Sequence, residues 1–193
     1  MTSRHRLSIA RSTLIVVFLA LVGCLGLTTA TASASGTTAP YCGITWGSLT
    51  KAGGAAAADT VQNVRSGQHD CYDRLVVDLK GGSSVAYSAS YVDAVYYDPR
   101  GDLVALDGGA RIRIVVHAPS YDPVTGTATY EPANEAQLVN VTGYQTFRQV
   151  AFAGSFEGQT TIGLGVRARL PFRVFVLSDT GGARLVIDVA HHW

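Results

Sequence analysis

The 193-residue chain is 47% hydrophobic and 15% charged, long enough for one domain with a real core and too short for two large ones. Its 15 basic residues include three arginines within residues 1–34, so the remainder carries 12 basic against 14 acidic residues, a formal charge of −2. Nothing in that balance suggests nucleic-acid binding.

Residues 1–34 read as a secretory signal peptide. Arg4, His5, Arg6 and Arg11 form a basic start, residues 14–27 an apolar run shorter than a membrane span, and Ala32-Ser33-Ala34 a small-residue cleavage site. A competing reading takes Leu21-Val22-Gly23-Cys24 as a bacterial lipidation box, which would anchor the protein through Cys24 to the outer face of the cytoplasmic membrane. Apolar Leu25 and Leu27 continue beyond Cys24 and favour simple secretion. On either route Cys42 and Cys71 enter an oxidising compartment, where a disulfide is the default. It would close a loop of about 30 residues and contribute roughly 3–4 kcal/mol.

Residues 35–60 read as an N-terminal arm and linker. The Tyr41-Cys42-Gly43-Ile44-Thr45-Trp46-Gly47 stretch places an aromatic pair beside a bridge cysteine, which favours packing over ligand binding. Residues 53–58 form a low-complexity spacer, either loop or short weak helix.

Residues 61–190 are the folded domain, and the pattern there is β throughout. Strands are predicted at 61–65, 74–79, 85–92, 111–117, 144–155, 159–167, 172–177 and 183–189, separated by Gly and Pro turns. Ile112, Ile114 and Val116 alternate with Arg111, Arg113 and His117, the mark of a half-buried antiparallel strand. Glu157-Gly158 reads as a hairpin turn, after which Ile162, Leu164 and Val166 share one face. Residues 172–177 are apolar on both faces and predict a central strand. Residues 118–143, interrupted by Pro119, Pro123 and Pro132, predict a long surface excursion of the kind that often carries binding.

One strand sequence occurs twice: Asp73-Arg74-Leu75-Val76-Val77-Asp78-Leu79 is echoed by Ala183-Arg184-Leu185-Val186-Ile187-Asp188-Val189. Leu75, Val77, Leu79, Leu185, Ile187 and Val189 are core candidates, because alternate side chains share a face. Direct antiparallel pairing of the copies would set Arg74 against Asp188 and Arg184 against Asp78, whereas parallel pairing would oppose like charges. In a third arrangement each copy lies in its own sheet. The overall expectation is an all-β antiparallel β-sandwich of about eight or nine short strands, with an eight-stranded β-barrel as the alternative.

Catalytic and metal motifs are sparse. The sequence has no His-Glu-x-x-His, Cys-x-x-Cys or Gly-x-Ser-x-Gly, and His191-His192 lacks the further ligands of a specific metal site, so no cofactor or metal is expected. Asp93, Asp98, Asp102 and Asp107 match no calcium loop and read as turn formers. A small hydrolase would need His69 or His117 in a cleft beside Ser or Asp. Tyr87, Tyr91, Tyr96 and Tyr97 read as core-facing aromatics, with a stacking platform as the alternative. The densest candidate surface runs from Glu157 and Gln159 to Arg167, Arg169 and Arg173. Its arginines would hold an anionic or sugar-bearing polymer by forked hydrogen bonds, or Arg167 and Arg173 would pair with carboxylates on neighbouring strands.

The two Arg-Leu-Val repeats resemble the two ends of an AMIN domain, the module found in bacterial N-acetylmuramoyl-L-alanine amidases and pilus secretins. Phe156-Glu157-Gly158-Gln159-Thr160, Gly165-Val166-Arg167 and Pro171-Phe172-Arg173-Val174-Phe175 are closer still to the AMIN-like domain of actinobacterial secreted proteins and lipoproteins. The resemblance implies a sandwich of two sheets, a place in the cell envelope and, for true AMIN domains, peptidoglycan binding. It also favours the arrangement with one repeat in each sheet. The 118–143 insertion departs from the pattern, and no amidase domain follows, so enzymatic activity is not carried over. The expected function is that of a non-catalytic secreted envelope protein that binds peptidoglycan or a wall-associated partner through Arg167, Arg169, Arg173, Glu157 and Gln159. A protein-interaction or inhibitor module using residues 118–143 is the alternative.

Overall fold

Short runs of β-branched and aromatic residues, each stopped by a turn, form eleven strands in the computed structural model, which describes residues 40–56 and 60–193. The signal-peptide reading and Cys24 lie outside the described residues. A short 3-10 turn (Tyr41–Gly43) is followed by β1 (Lys51–Gly53), β2 (Thr60–Gln68), β3 (Tyr72–Lys80), β4 (Tyr87–Val92), β5 (Val95–Tyr96), β6 (Leu103–Val104) and β7 (Ala110–Val116). The chain then continues through β8 (Phe147–Phe156), β9 (Gln159–Val166), β10 (Phe172–Asp179) and β11 (Gly182–Ala190). The front sheet has the order β10-β11-β3-β2, the back sheet β1-β4-β7-β9-β8, and β5-β6 is a separate hairpin. All pairings are antiparallel and neither sheet closes on itself, so the architecture is the expected sandwich and not the barrel. The strands beyond the predicted number are β1, β5 and β6, of two or three residues each, too short for an alternating pattern to register.

The core lies between the sheets. Leu75, Val77 and Leu79 of β3 and Leu185, Ile187 and Val189 of β11 face Ile112, Ile114 and Val116 of β7 and Ile162, Leu164 and Val166 of β9. All twelve are buried, each contributing roughly 1.5–3 kcal/mol relative to exposure.

The repeated strands pair with each other directly. In the β3–β11 register Arg74 lies opposite Asp188 and Asp78 opposite Arg184. This corrects the expectation of one copy per sheet, and the cause is physical. Antiparallel pairing sets opposite charges across from each other on the outer face while both aliphatic stripes enter the core. A second correction concerns β10, which is the edge strand of the front sheet, not a central one. Its outward-facing Phe175 lies beside the Arg74 and Arg173 side chains in place of a covering layer.

The back sheet is covered by the chain itself. Residues 93–109, including the β5-β6 hairpin, lie across its outer face, where Val95 and Leu106 pack on Ala151 and Ala153. The close approach demands glycine. A Cβ at Gly154, where φ is +100°, would collide with the carbonyl of Asp98, and one at Gly165 with the carbonyl of Asp107. The front sheet has no such cover among the described residues.

Residues 118–143 contain no named strand, as expected, yet they are laced to both sheets. Val61 N–H donates to Pro119 O (2.8 Å), Thr129 Oγ1 to Val61 O (2.8 Å), Leu138 N–H to Val150 O (2.8 Å) and Phe152 N–H to Glu135 O (2.7 Å). The excursion thus seals the side of the sandwich between edge strands β2 and β8. On the other side the arm bridges Gly47 to Phe172 of β10, and β1 pairs with β4. The Cys42–Cys71 disulfide, with Cα atoms 6.4 Å apart, ties this arm to the start of β3.

Candidate functional site

Strand register places a row of charges across the uncovered outer face of the front sheet: Arg173 opposite Asp188, Asp188 opposite Arg74, and Arg74 opposite Gly67. The Asp188 carboxylate is fully buried between the two arginines, which are 31% and 24% exposed. Arg74 Nε donates to Asp188 Oδ1 (2.6 Å) and Nη2 to Oδ2 (2.9 Å), a forked pair, while Arg173 Nε donates to Oδ2 (2.8 Å). Hydrogen bonding to Asp188 holds the Arg74 guanidinium even more firmly protonated than usual. Arg65 and Asp78 form a second, more exposed pair at 2.8 Å.

Aromatic rings hold these guanidiniums in place. Arg173 lies 5.5 Å from the Trp46 ring, 5.4 Å from Tyr72 and 5.0 Å from Phe175, and Arg74 lies 5.2 Å from Tyr72 and 5.6 Å from Phe175. Each such contact contributes about 0.5–1 kcal/mol when exposed and more when desolvated. His69 stacks on Tyr72 with centroids 4.6 Å apart, extending the layer. The result is an arginine–aromatic surface whose side chains are held by these contacts and by Asp188.

The five residues predicted from sequence do not come together. Arg173 is at the centre of this face. Arg169 lies near the arm, its guanidinium 4.8 Å from the Tyr91 ring and its Nη2 3.3 Å from Ser48 O. Arg167 binds backbone carbonyls, Nη2 to His191 O (2.6 Å) and Nε to Gln145 O (3.2 Å), and so ties the C-terminal segment to the loop before β8. Of the two pairings with neighbouring-strand carboxylates, the one at Arg173 forms, and among the described residues the one at Arg167 does not. Glu157 and Gln159 sit at the β8–β9 hairpin, roughly 26 Å along the strand from Arg167 at 3.3 Å per residue. Arg74, Asp188, Trp46, Tyr72 and Phe175 were not among the predicted site residues. For Arg74 and Asp188 the sequence signal was the Arg-x-x-x-Asp spacing of the repeat, which shows its meaning only once the copies are paired.

The tyrosines divide. Tyr87 and Tyr91 pack against the core, whereas Tyr96, 54% exposed, and Tyr97, stacked beneath Arg100 at 3.7 Å, belong to the hairpin over the back sheet. Tyr91 Oη donates to Leu170 O (2.6 Å) and accepts from Leu170 N–H (2.9 Å). Burial pushes its hydroxyl up to about 12 from the ordinary 10.0. Since the folded state holds this proton more tightly, the stabilisation is complete below pH 10 and is lost as pH rises towards 12. Thermal unfolding of Tyr91→Phe should therefore show a lower midpoint than the parent at neutral pH, through the lost hydrogen bonds, and a shallower decline between pH 10 and 12. Parallel declines would refute the assignment to Tyr91.

A second polar cluster is internal. Asp73, fully buried, accepts from the N–H groups of Thr146 (2.6 Å) and Phe147 (3.0 Å) through Oδ2 and lies 3.2 Å from His191 Nε2 through Oδ1. His191 Nδ1 is 3.2 Å from Asp70 O. These groups hold the start of β8 and the end of β11 together and face no opening. His69 and His117 make no side-chain hydrogen bond to Ser or Asp among the described residues, so neither belongs to a nucleophile–base pair there.

The geometry is that of an antiparallel β-sandwich module with one outer face covered by its own chain and the other carrying an ordered arginine–aromatic layer. The family model of the AMIN-like domain matches residues 59–191, and the chain belongs to that family. No curated protein and no solved structure matches the chain.

Proposed function

We propose that this AMIN-like sandwich is a non-catalytic binding module of the cell envelope, secreted by means of residues 1–34 or anchored through Cys24. It holds peptidoglycan or a wall-associated partner on the outer face of the front sheet. The observation that carries the reading is the Arg74–Asp188–Arg173 row, bracketed by Trp46, Tyr72 and Phe175. Guanidiniums held beside aromatic rings present hydrogen-bond donors and stacking surface together, the combination that suits a polymer of sugars and charged peptides. Family membership supports an envelope role, and the uncovered face supplies the area. Of the residues selected from sequence, Arg173 is the centre of this surface and Arg169 its margin; Arg167 supports the scaffold, and Glu157 and Gln159 lie apart from it.

Cosedimentation of the processed chain with purified cell walls tests the reading. The protein should pellet at low salt and be released as salt rises, since the contacts are charged, and Arg173→Ala should lower the bound fraction severalfold with an unchanged circular dichroism spectrum. Protein that stays in the supernatant at low salt would overturn the proposal.

A further inference from the structure

We infer that the front-sheet face carries a site for a single carboxylate, the C-terminal carboxylate of a short peptide, taken by Arg74 and Arg173 on the solvent side of Asp188. The inference rests on the wall-binding reading above and names the group that is recognised. The charge count on the row is unequal, because Arg74 and Arg173 carry two positive charges against the one negative charge of Asp188, while Asp78, four residues further along β3, has Arg65 as its partner. One monoanion completes the balance. The donors for it are present: Asp188 occupies Nε and Nη2 of both arginines, and Nη1 of neither makes a hydrogen bond among the described residues.

The chemistry of the surroundings favours a peptide carboxylate over other anions. A carboxylate is planar and matches the guanidinium fork, as Asp188 already demonstrates within the fold. Beside the open donors lie Trp46, Tyr72 and Phe175, apolar surfaces suited to the small side chain next to a terminal carboxylate. The arginines are already ordered by Asp188 and the rings, so little side-chain freedom remains to be lost on binding.

The test is an NMR titration of the processed chain with N-acetyl-Ala-Ala, its C-terminal amide and dimethyl phosphate. The acid should saturably shift the Trp46 indole N–H and the Arg74 and Arg173 Nε–H signals, and the amide should bind at least about tenfold more weakly, as expected for loss of a charge-assisted pair. Equal binding of acid and amide, or tighter binding of dimethyl phosphate, would overturn the inference. The two readings fail separately. Walls that pellet a protein indifferent to the acid would refute the carboxylate site alone, and a protein that binds the acid but not walls would refute the wall reading alone.

Discussion

Asp73→Ala is expected to lower stability by about 3–5 kcal/mol, the range for removing one member of a buried, hydrogen-bonded charged cluster. Asp73 is fully buried at the start of β3 and satisfies the N–H groups of Thr146 and Phe147 where the chain enters β8. Without it, two buried donors lose their acceptor, at roughly 1–3 kcal/mol each, and the His191 ring loses its partner. Against a total of about 5–15 kcal/mol for a domain, the change is large. Urea denaturation measures it as a lower midpoint at constant slope. A shift worth less than about 1 kcal/mol would show that water replaces the carboxylate and that this junction is not a closed one.

Asp188→Ala should have a comparable effect for a different reason. Here the buried group is the anion between two guanidiniums, and its loss leaves two like charges on the strands either side of β11 with no anion between them. The expected cost is again about 3–5 kcal/mol. Replacing Asp188 together with Arg74 and Arg173 by apolar residues of similar volume should recover most of it, because the desolvation of the charges disappears with them. That contrast separates the two roles of the row. If the triple replacement is stable but no longer sediments with cell walls, the charges are kept for recognition; if it sediments like the parent, they serve the scaffold only. A double-mutant cycle between Arg74 and Asp188 should give a coupling within about 0.5–3 kcal/mol.

The repeat shows how far sequence reasoning reached. Its alternation identified Leu75, Val77, Leu79, Leu185, Ile187 and Val189 as core, and all are buried. The possibility of an Arg74–Asp188 contact was also visible, because antiparallel pairing of two Arg-x-x-x-Asp strands brings unlike ends together. Which partner each strand chose was not visible, since strand pairing depends on the path of the chain between the copies and not on either copy alone. The same holds for β10. Apolar residues on both faces suggested a central strand, but Phe175 stacks with Arg74 and Arg173 on an edge strand.

The site shows where that reasoning stopped. Arg167 and Arg173 looked equivalent in sequence, yet one is spent on the carbonyls of Gln145 and His191 and the other lies at the centre of the open face. Trp46 carried no sequence signal for the site because a disulfide and a bridge to Phe172 bring it there from more than a hundred residues away. Glycines 154 and 165 are the floor on which residues 93–109 lie, a role that only the fold gives them.

By itself the sequence determined the all-β class, the inward-facing residues of the long strands, the Glu157-Gly158 hairpin and the bridge between Cys42 and Cys71, because each follows from local periodicity, turn chemistry or cysteine count. Only the tertiary structure decided that the repeats pair with each other, that one sheet is covered and the other open, and that Arg74, Asp188 and Arg173 form one row. Those features depend on which distant strands meet and in what register, and register assigns every side chain to the core or to the surface.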